Sequence, residues 1–504
     1  MPPAYIGLDL GTSSVKALTV DGEGRVLATA SQSYPMLHPE PGAAEQDTDV
    51  WWEAVCGALA EVTAAVPDVA AIGLTGQMHG TVFLDGDRRP VRPAITWADT
   101  RSGSQAASIE AEIGRGVLTG TAGTAIAAGF QAASIRWLRE REPATWDRVT
   151  TVLLPKDEIR RRLTGGLATD PSDAAGTGML GVHSRAWSST MLGVVGVARR
   201  QLPALRGSRN ETGRVSASAT VATGVPTEVP VVGGAGDAPA GAMAAGVVEE
   251  GDLLLSLSSG AQVIAPVRRP VVDPALRVHT FASALDPDAG EPGWNVMGAT
   301  MAAGSAIRWL RDEIFGLTSE TALAEMDAAS AAVQPGADGL LFLPYLAGER
   351  TPHLDPDARG VFLGLSAEHG RGHLVRSVME GSIFALLDAY DVVRELVPEP
   401  PRRVVLAGGG SRSPLWRQIV ADMFGMPISP LTVGEQSAMG AAMLAAAYDR
   451  EVPVSEIARA WVRLDESVEP IRANVDRYGE LFGIYRELYP LHREHFQKLK
   501  GMRG

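Results

Sequence analysis

The chain has 504 residues, which excludes one ordinary domain and predicts about two to four domains with a large buried core. Its composition is 45% hydrophobic and 21% charged, which excludes a disordered or fibrous protein and predicts a soluble globular one. The net charge of −14 argues against nucleic acid as a partner, although local amides and cations can still hold a small anionic ligand.

The single cysteine and the first residues indicate the cellular location of the protein. Cys56 lies in an apolar helical pattern, which predicts a buried thiol and excludes a disulfide within the chain. The opening residues, MPPAYIGLDL, lack the basic start and apolar run of a signal peptide. No run of about 18 apolar residues occurs. We therefore expect a cytoplasmic protein without a membrane partner.

The first half of the chain alternates strands and helices. Predicted strands lie at residues 6–10, 15–20 and 26–33. A capped helix follows in DTDVWWEAVCGALAEVTAAV, and a strand in VAAIGLTG. The same alternation continues through ASIRWLRERE, TVLLP and KDEIRRRLTG. This order is typical of an α/β layer, and we expect a first domain to end near residue 246.

The second half repeats features of the first. The strand–turn–strand in LLLSLSSGAQVIAPV echoes the opening hairpin in its small and hydroxyl residues, which hints at duplication. A long helix is predicted in LVRSVMEGSIFALLDAYDVVREL and a strand in RRVVLAGGGS. The terminal YGELFGIYRELYPLHREHFQKLK is predicted to be an amphipathic helix with a solvated charged face. Two related α/β domains facing a cleft are the simplest interpretation.

The first candidate for chemistry is the turn after the opening strand, in LDLGTSSVK. Asp9 ends an apolar run, Gly11 allows close backbone approach, Thr12 and Ser13 offer hydroxyls, and Lys16 follows. Such a turn can hold phosphate oxygens together with Mg²⁺. An ordinary β-hairpin with polar turn residues is the alternative, and it is favoured when the stretch is taken alone. The chain lacks the GxxxxGK[ST] pattern of a P-loop.

Two further stretches are candidates. Asp237 in VVGGAGDAPAGAMAAG follows a glycine cluster and precedes a small-residue helix, so it could accept a proton from a hydroxyl that attacks a γ-phosphate. The alternative for Asp237 is a helix N-cap. In RRVVLAGGGSRSPLWRQIVADMFG, a strand runs into Gly408, Gly409 and Gly410 before a helix, where bare backbone would admit a base or phosphate. Plain packing is the alternative there.

The order of these three stretches resembles the FGGY carbohydrate kinases, within the actin-like/hexokinase/Hsp70 ATPase superfamily, over nearly the whole chain. The segment AIGLTGQMHGTVFLD, followed by RPAITWADTRS, is similar to the sugar segment of the members that act on ketopentoses. FLPYLAGERTPHLDPDARGVFLGLSAEH is similar to the second-half signature, while LAGGGSRSPLWRQIVADMFG and GAAMLAA resemble the adenosine region. The resemblance implies two actin-like (ribonuclease H-like) domains with mixed sheets flanked by helices, over residues 1–246 and 247–504.

The resemblance also implies residue roles in an enzyme that transfers phosphate from ATP to the terminal hydroxyl of D-xylulose. Asp237 is the expected general base, and Asp9 organises Mg²⁺ and phosphate, with both aspartates facing the metal. The expected sugar contacts are Gln77, Met78, His79, Trp97, Asp99 and Asp237. The expected nucleotide contacts are Gly11, Thr12, Ser13, Lys16, Ser258, Ser259, Gly408, Gly409 and Ser413.

Three positions depart from the family pattern. Asp237 is followed by Ala238 in place of asparagine, the second phosphate loop reads Ser258-Ser259-Gly260-Ala261, and an expected lysine is Ser134. These departures keep a related ketopentose or a pentitol open as the substrate, and also a non-catalytic sugar and nucleotide sensor. A non-enzymatic actin-like ATPase is the competing class, but no peptide-binding or filament-forming insertion is evident. A homodimer is compatible with the sequence, which does not fix the oligomeric state.

Overall fold

The structure is a computed structural model that describes residues 3–432 and 434–502. It divides into two compact units, each built from three segments. The first is formed by the described residues of Met1–Glu250, Pro266–Asn295 and Glu435–Val462, and the second by those of Gly251–Ala265, Val296–Gly434 and Arg463–Gly504. The boundary predicted near residue 246 therefore marks only one of the places where the chain passes from one unit to the other.

The first unit is centred on a mixed sheet. Its strands, in spatial order, are Glu211–Arg214, Pro230–Val232, Val69–Gly76, Ala4–Leu10, Ser14–Val20 and Val26–Ser33, with Ala235–Gly236 also paired to Val69–Gly76. Shorter strands are Glu45–Gln46, Val82–Leu84, Ala94–Ile95, Thr151–Leu153, Ala168–Thr169, Ala204–Leu205 and His279–Ala282. The two outermost pairs at the hairpin end are antiparallel, while Ala4–Leu10 pairs in parallel with Val69–Gly76.

Helices flank this sheet. They are Thr48–Ala65, Gly103–Ile113, Arg115–Thr121, Gln131–Arg141, Pro143–Trp146, Pro155–Thr164, Pro171–Ala175, Ser189–Val195, Ala217–Thr223, Asp237–Ala244, Gln436–Asp449 and Val454–Trp461. The predicted cap of the first helix is confirmed, because the Asp47 side chain accepts from the Asp49 amide. Cys56 on this helix is half-buried rather than buried as predicted, since it lies beside the inward-facing Val55 at the edge of the buried face.

The second unit repeats the same sheet plan. Its strands, in spatial order, are Trp294–Thr300, Ala261–Val267, Asp252–Leu257, Arg403–Ala407 and Ser429–Pro430, with a separate pair Leu341–Leu343 and Val361–Leu363. Its α-helices are Gly304–Trp309, Ala322–Ala331, Arg371–Leu396, Pro414–Phe424 and Arg472–Lys500. In both sheets an antiparallel hairpin is followed by parallel strands. This shared topology supports the duplication that the sequence suggests.

Within residues 3–432 and 434–502, no helix combines the length and the apolar character needed to cross a bilayer.

Helix Gln436–Asp449 belongs to the first unit, although its GAAMLAA segment resembles the adenosine region of the second half. The helix lies against the central strands Ala4–Leu10 and Val69–Gly76, so close that side chains at Gly7 and Gly73 would not fit between them. A Cβ at Gly7 would lie 1.8 Å from the carbonyl oxygen of Ala438, and one at Gly73 would lie 1.8 Å from that of Ala441. Glycines in the strands therefore let the helix backbone approach the sheet. Through this close contact the helix Gln436–Asp449, which lies late in the sequence, packs as part of the first unit.

The close contact predicts a large cost for a single methyl group. We expect Gly73→Ala to lower the free energy of unfolding by about 3 kcal/mol, because backbone atoms must move to admit the Cβ. The matched control is Gly120→Ala, whose Cβ would meet no atom within 4 Å. We expect that change to be neutral or stabilising by less than about 1 kcal/mol. Urea unfolding curves measure both, and an equal effect of the two substitutions would contradict the close-contact explanation.

Candidate functional site

The candidate residues of the first unit meet where three neighbouring strands end. Leu10 pairs with Gly76, and Gly76 pairs with Gly236, all in parallel register. The residues that follow these strand ends are Gly11, Gln77 and Asp237. The backbone amide of Gln77 donates to the Leu10 carbonyl at 2.8 Å, which fixes the two strand ends relative to one another. The carboxyl ends of parallel strands are common binding sites in α/β folds.

Asp237 is the first residue of helix Asp237–Ala244, and Gly236 occupies the N-cap position. The N-cap alternative for Asp237 is therefore wrong. Its Oδ1 accepts from the Ala238 amide at 2.8 Å. Burial raises the pKa of Asp237 to about 6, against the opposing effect of hydrogen bonds from the backbone amides of Ala238 and Asp237. A carboxylate with this proton affinity is ionised at neutral pH but can still accept a proton.

Asp9 lies one residue before the end of its strand, and its Oδ1 is buried without a hydrogen-bond partner among the described residues. Burial, together with the negative charge of Asp237, raises the pKa of Asp9 to about 7. Lys16, its partner across the hairpin, acts in the opposite direction. The effect of the Asp237 charge on the pKa of Asp9 indicates that the two carboxyl groups lie in the same region.

The turn after Asp9 joins two antiparallel strands, so the stretch is a β-hairpin, while its role as a phosphate loop stays a prediction. The turn is also tied to other elements. The Trp97 indole donates to the Thr12 hydroxyl at 2.8 Å, and Gln46 donates to the Thr12 carbonyl at 2.7 Å. Ser13 is exposed, whereas Lys16 forms an ion pair of 2.7 Å with Glu435. A hairpin and a phosphate loop do not exclude each other, because the ligand would contact the turn.

The Gln77-Met78-His79 trio lies in the same region. The Gln77 amide nitrogen donates to Gln46 at 3.0 Å, while its Oε1 is buried without a hydrogen-bond partner among the described residues. Met78 is 4% exposed and lies so close to Gly176 and Gly236 that a Cβ on either would come within 2.8 Å of its side chain.

His79 has an unusual backbone for a residue with a side chain, with φ of 73°. Its Nδ1 lies 2.5 Å from the Gly176 carbonyl oxygen, which makes Nδ1 the protonated nitrogen. The ring stacks on Phe130 at 4.0 Å between centroids. These contacts fix the orientation of the imidazole, and a residue held at positive φ by its surroundings is often part of a functional site.

An aromatic cluster beside His79 is absent from the sequence-based candidates. Phe130 lies 6.2 Å from His279, which stacks on Phe281 at 4.9 Å, and the Thr124 hydroxyl lies 2.6 Å from the His279 Nδ1. The cluster combines residues that are about 150 positions apart in the sequence, so no local pattern could have shown it.

Asp99, a predicted sugar contact, is bound by groups of the protein itself. It is 2% exposed, its carboxylate pairs with Arg101 at 2.7 Å, and it accepts from the Ala44 amide at 3.0 Å. The carboxylate is thus engaged in holding two loops together. Trp97 instead lies against the hairpin turn through its bond to Thr12.

The second unit contains a cavity of ≈ 560 Å³, which is large enough for a nucleotide-sized ligand. Predicted residues that line it are Ser258, Ser259, Gly409 and Ser413. Gly408 has φ of 86°, and a Cβ there would lie 2.5 Å from the Leu257 carbonyl oxygen, so only glycine fits this strand end. The Ser413 hydroxyl donates to Asp327 at 2.6 Å and accepts from the Trp416 amide at 3.0 Å.

Two residues of this cavity are absent from the sequence-based candidates. Arg308, on helix Gly304–Trp309, donates to the Ser259 hydroxyl at 2.8 Å, so the second loop carries a cation at its edge. Asp327, on helix Ala322–Ala331, holds Ser413. Each lies on a helix with an ordinary surface pattern, and no sequence signal distinguishes it from a solvated charge.

Comparison with known proteins gives a consistent result. Residues 4–244 and 260–448 match the N-terminal and C-terminal domain models of the FGGY family of carbohydrate kinases. The xylulose kinase of Escherichia coli (strain K12) is 39% identical over 88% of this chain and 89% of its own. The xylulose kinase of Bacillus subtilis (strain 168) is 33% identical over 99% of each.

Among solved structures, a xyloylose kinase from Brucella ovis has a TM-score of 0.90 at 33% identity and covers 97% of this chain and 99% of its own. This similarity confirms the predicted class of two actin-like α/β domains with mixed sheets flanked by helices.

The raised pKa of Asp237 predicts that its charge destabilises the folded state. The folded pKa lies above the ordinary value, so this group favours folding at acid pH and the contribution is lost as pH rises towards about 6. We expect Asp237→Asn to raise the melting temperature, by more at pH 8 than at pH 5. The control is Asp68→Asn at an exposed position, which should change neither. A lower melting temperature for Asp237→Asn at pH 8 would disprove the assignment of a destabilising charge.

Proposed function

Since this chain belongs to the FGGY family of carbohydrate kinases, we propose that it transfers the γ-phosphoryl group of ATP to the terminal hydroxyl of D-xylulose, which gives D-xylulose 5-phosphate. The relatives that cover nearly the whole chain act on xylulose by name. The single observation that carries the reaction is Asp237, a carboxylate of raised pKa at a strand end beside the Gln77 segment.

Asp237 acts as the general base in this proposal. The attacking hydroxyl is a poor nucleophile, and it becomes a better one as its proton passes to the carboxylate during attack on the phosphorus. The Ala238 amide holds Oδ1, which leaves the rest of the carboxylate to accept that proton. Ala238 offers no side-chain hydrogen bond to the sugar, so Gln77 and His79 would supply more of the orientation.

Asp9 suits the site of a divalent cation. Its buried Oδ1 has no hydrogen-bond partner among the described residues, and a cation would satisfy it and lower its raised pKa. Magnesium in kinases is commonly held by one or two carboxylates together with substrate phosphates. Within the described residues no group of three or more His, Cys, Asp or Glu forms a dedicated metal cage. Bound Mg²⁺ would neutralise the charge that develops on the phosphate oxygens.

The Gln77 segment suits a polyol. The Oε1 of Gln77, which has no hydrogen-bond partner among the described residues, can accept a bond from a sugar hydroxyl, and Met78 offers an apolar surface. His79 presents an imidazole whose orientation is fixed by Gly176 and Phe130. Short polar contacts beside apolar surface are typical of sites that bind uncharged sugars.

The cavity of the second unit suits ATP. The bare backbone at Gly409 can approach a phosphate or a flat base, and the hydroxyls of Ser258 and Ser259 can donate to phosphate oxygens. Arg308 brings a positive charge to the same loop through Ser259. Apolar contact for the base is available from Met379 and Trp416.

Asp237→Ala is expected to abolish sugar-dependent ADP release, lowering kcat by about 100-fold or more. ATP binding should survive, because the nucleotide cavity lies in the second unit. Coupled ADP release measures the first property and calorimetric titration with ATP the second. Asp68→Ala, at an exposed position, is the matched control. Near-normal kcat for Asp237→Ala would show that the base is another group.

The substrate is tested with a panel of acceptors. We expect kcat/KM to be highest for D-xylulose among D-xylulose, D-ribulose, L-ribulose, xylitol, arabinitol and glycerol. A higher value for another pentulose or a pentitol would move the assignment to that sugar. An absence of turnover with every acceptor, while ATP still binds, would favour a non-catalytic sensor.

A further inference from the structure

A fully buried ionic cluster lies behind the candidate base in the first unit. Its members come from helix Pro155–Thr164 and from the turn and helix that begin at Asp170. They are Lys156, Asp157, Arg160, Asp170 and Asp173, each at most 1% exposed. Burial of five ionisable groups is costly unless they are paired, so a cluster of this kind needs an explanation.

Lys156 is the centre of the cluster. Its Nζ lies 2.8 Å from Asp157, 2.9 Å from Asp170 and 3.1 Å from Asp173. Arg160 pairs with Asp157 at 2.5 Å. Burial raises the pKa of Asp173, while the positive charge of Lys156 acts in the opposite direction. None of the five groups enters the proposed reaction.

The cluster is connected to the candidate base through Ser172. The Ser172 amide donates to Asp170 Oδ2 at 2.8 Å, and its hydroxyl donates to the same oxygen. The Ser172 hydroxyl in turn accepts from the Gly236 amide at 3.2 Å. Gly236 is the N-cap residue directly before Asp237.

Two more contacts link the cluster to the same strand ends. Arg160 donates to the carbonyl of Gly233, three residues before Gly236. The Gly176 amide donates to the Asp173 carbonyl at 3.0 Å, and the Gly176 carbonyl oxygen lies 2.5 Å from His79 Nδ1. The segment 170–176 therefore contacts both the backbone that carries the base and the predicted sugar-binding histidine.

We propose that Ser172, held by Asp170, which pairs in turn with Lys156, is a positioning residue that sets the direction of the Asp237 carboxylate. This inference rests on the proposed role of Asp237 as the base. The Asp170 carboxylate fixes the serine hydroxyl, the hydroxyl fixes the Gly236 amide, and the Gly236 backbone fixes the start of the helix that carries Asp237. The buried charges keep this chain of contacts in one arrangement, since each member would be left unpaired in any other.

Ser172→Ala removes the hydroxyl and keeps the rest of the cluster. We expect kcat to fall about 10-fold or more, with the KM for sugar and the Kd for ATP changed less than about twofold, because a small displacement of a reacting group lowers the rate steeply. A merely structural role would not produce this split between kcat and KM. Ser172→Thr, which retains a hydroxyl, should recover much of the rate.

Two matched controls distinguish the loss of the Ser172–Gly236 hydrogen bond from the mere removal of a buried hydroxyl. Ser208→Ala removes another donor to Asp170, at 3.2 Å, that has no bond to Gly236. Ser134→Ala removes a buried hydroxyl that has no hydrogen-bond partner among the described residues. Both variants should keep kcat within about threefold of the unsubstituted enzyme. A loss in Ser208→Ala equal to that in Ser172→Ala would overturn the proposal.

The outcomes distinguish this inference from the proposed function. An inactive Asp237→Ala with a normal kcat for Ser172→Ala overturns the positioning role alone. A fully active Asp237→Ala overturns the base assignment and this inference with it. If Ser172→Ala does not fold, Asp170→Asn is the deciding variant, because it keeps the side-chain shape and weakens the hydrogen bonds to Ser172. A lower kcat for this variant supports the proposal, and a normal kcat contradicts it.

Discussion

The site of the first unit depends on holding two half-buried aspartates, Asp9 and Asp237, at the ends of two strands that flank Val69–Gly76. Asp9 and Asp237 both have raised pKa values, mainly because burial disfavours their charged forms. A buried negative charge lowers the stability of the folded state, but the raised pKa that results is the property a general base needs at neutral pH. The surrounding sequence is understandable as the means of holding these two groups in place.

Glycines are the main device for this arrangement. Gly7 and Gly73 bring helix Gln436–Asp449 against the two central strands, and Gly176 and Gly236 leave space for the Met78 side chain. Each position admits only a hydrogen atom, because a Cβ would meet a backbone or a packed side chain. Close contacts therefore surround the strands and strand ends that carry the two aspartates.

Much of this site could be predicted from the sequence. The apolar strand before Asp9, the Asp47 cap, and the passage from the glycine cluster into the helix at Asp237 all depend on neighbours in the chain. The family resemblance, which rests on whole motifs, also extended to the Gln77 segment. Local patterns of this kind predict structure well because the residues that form a helix or strand also determine where it ends.

The rest depends on contacts between distant segments. Asp99 is held by Arg101 and the Ala44 amide, the aromatic cluster joins Phe130 to His279, and the return of helix Gln436–Asp449 to the first unit follows from backbone contact through glycine. The sequence predicts the helix in KDEIRRRLTG, but not the burial of its charged residues around Lys156. Only three-dimensional proximity distinguishes such residues from a solvated charged face.

The most direct test of the account is the pH dependence of kcat/KM for the sugar with saturating ATP. Asp237 must be ionised to accept a proton, so the account predicts a plateau near pH 8 and a fall in kcat/KM as pH drops through about 6. A profile that stays flat from about pH 8 to about pH 5 would contradict the assignment of a buried carboxylate base.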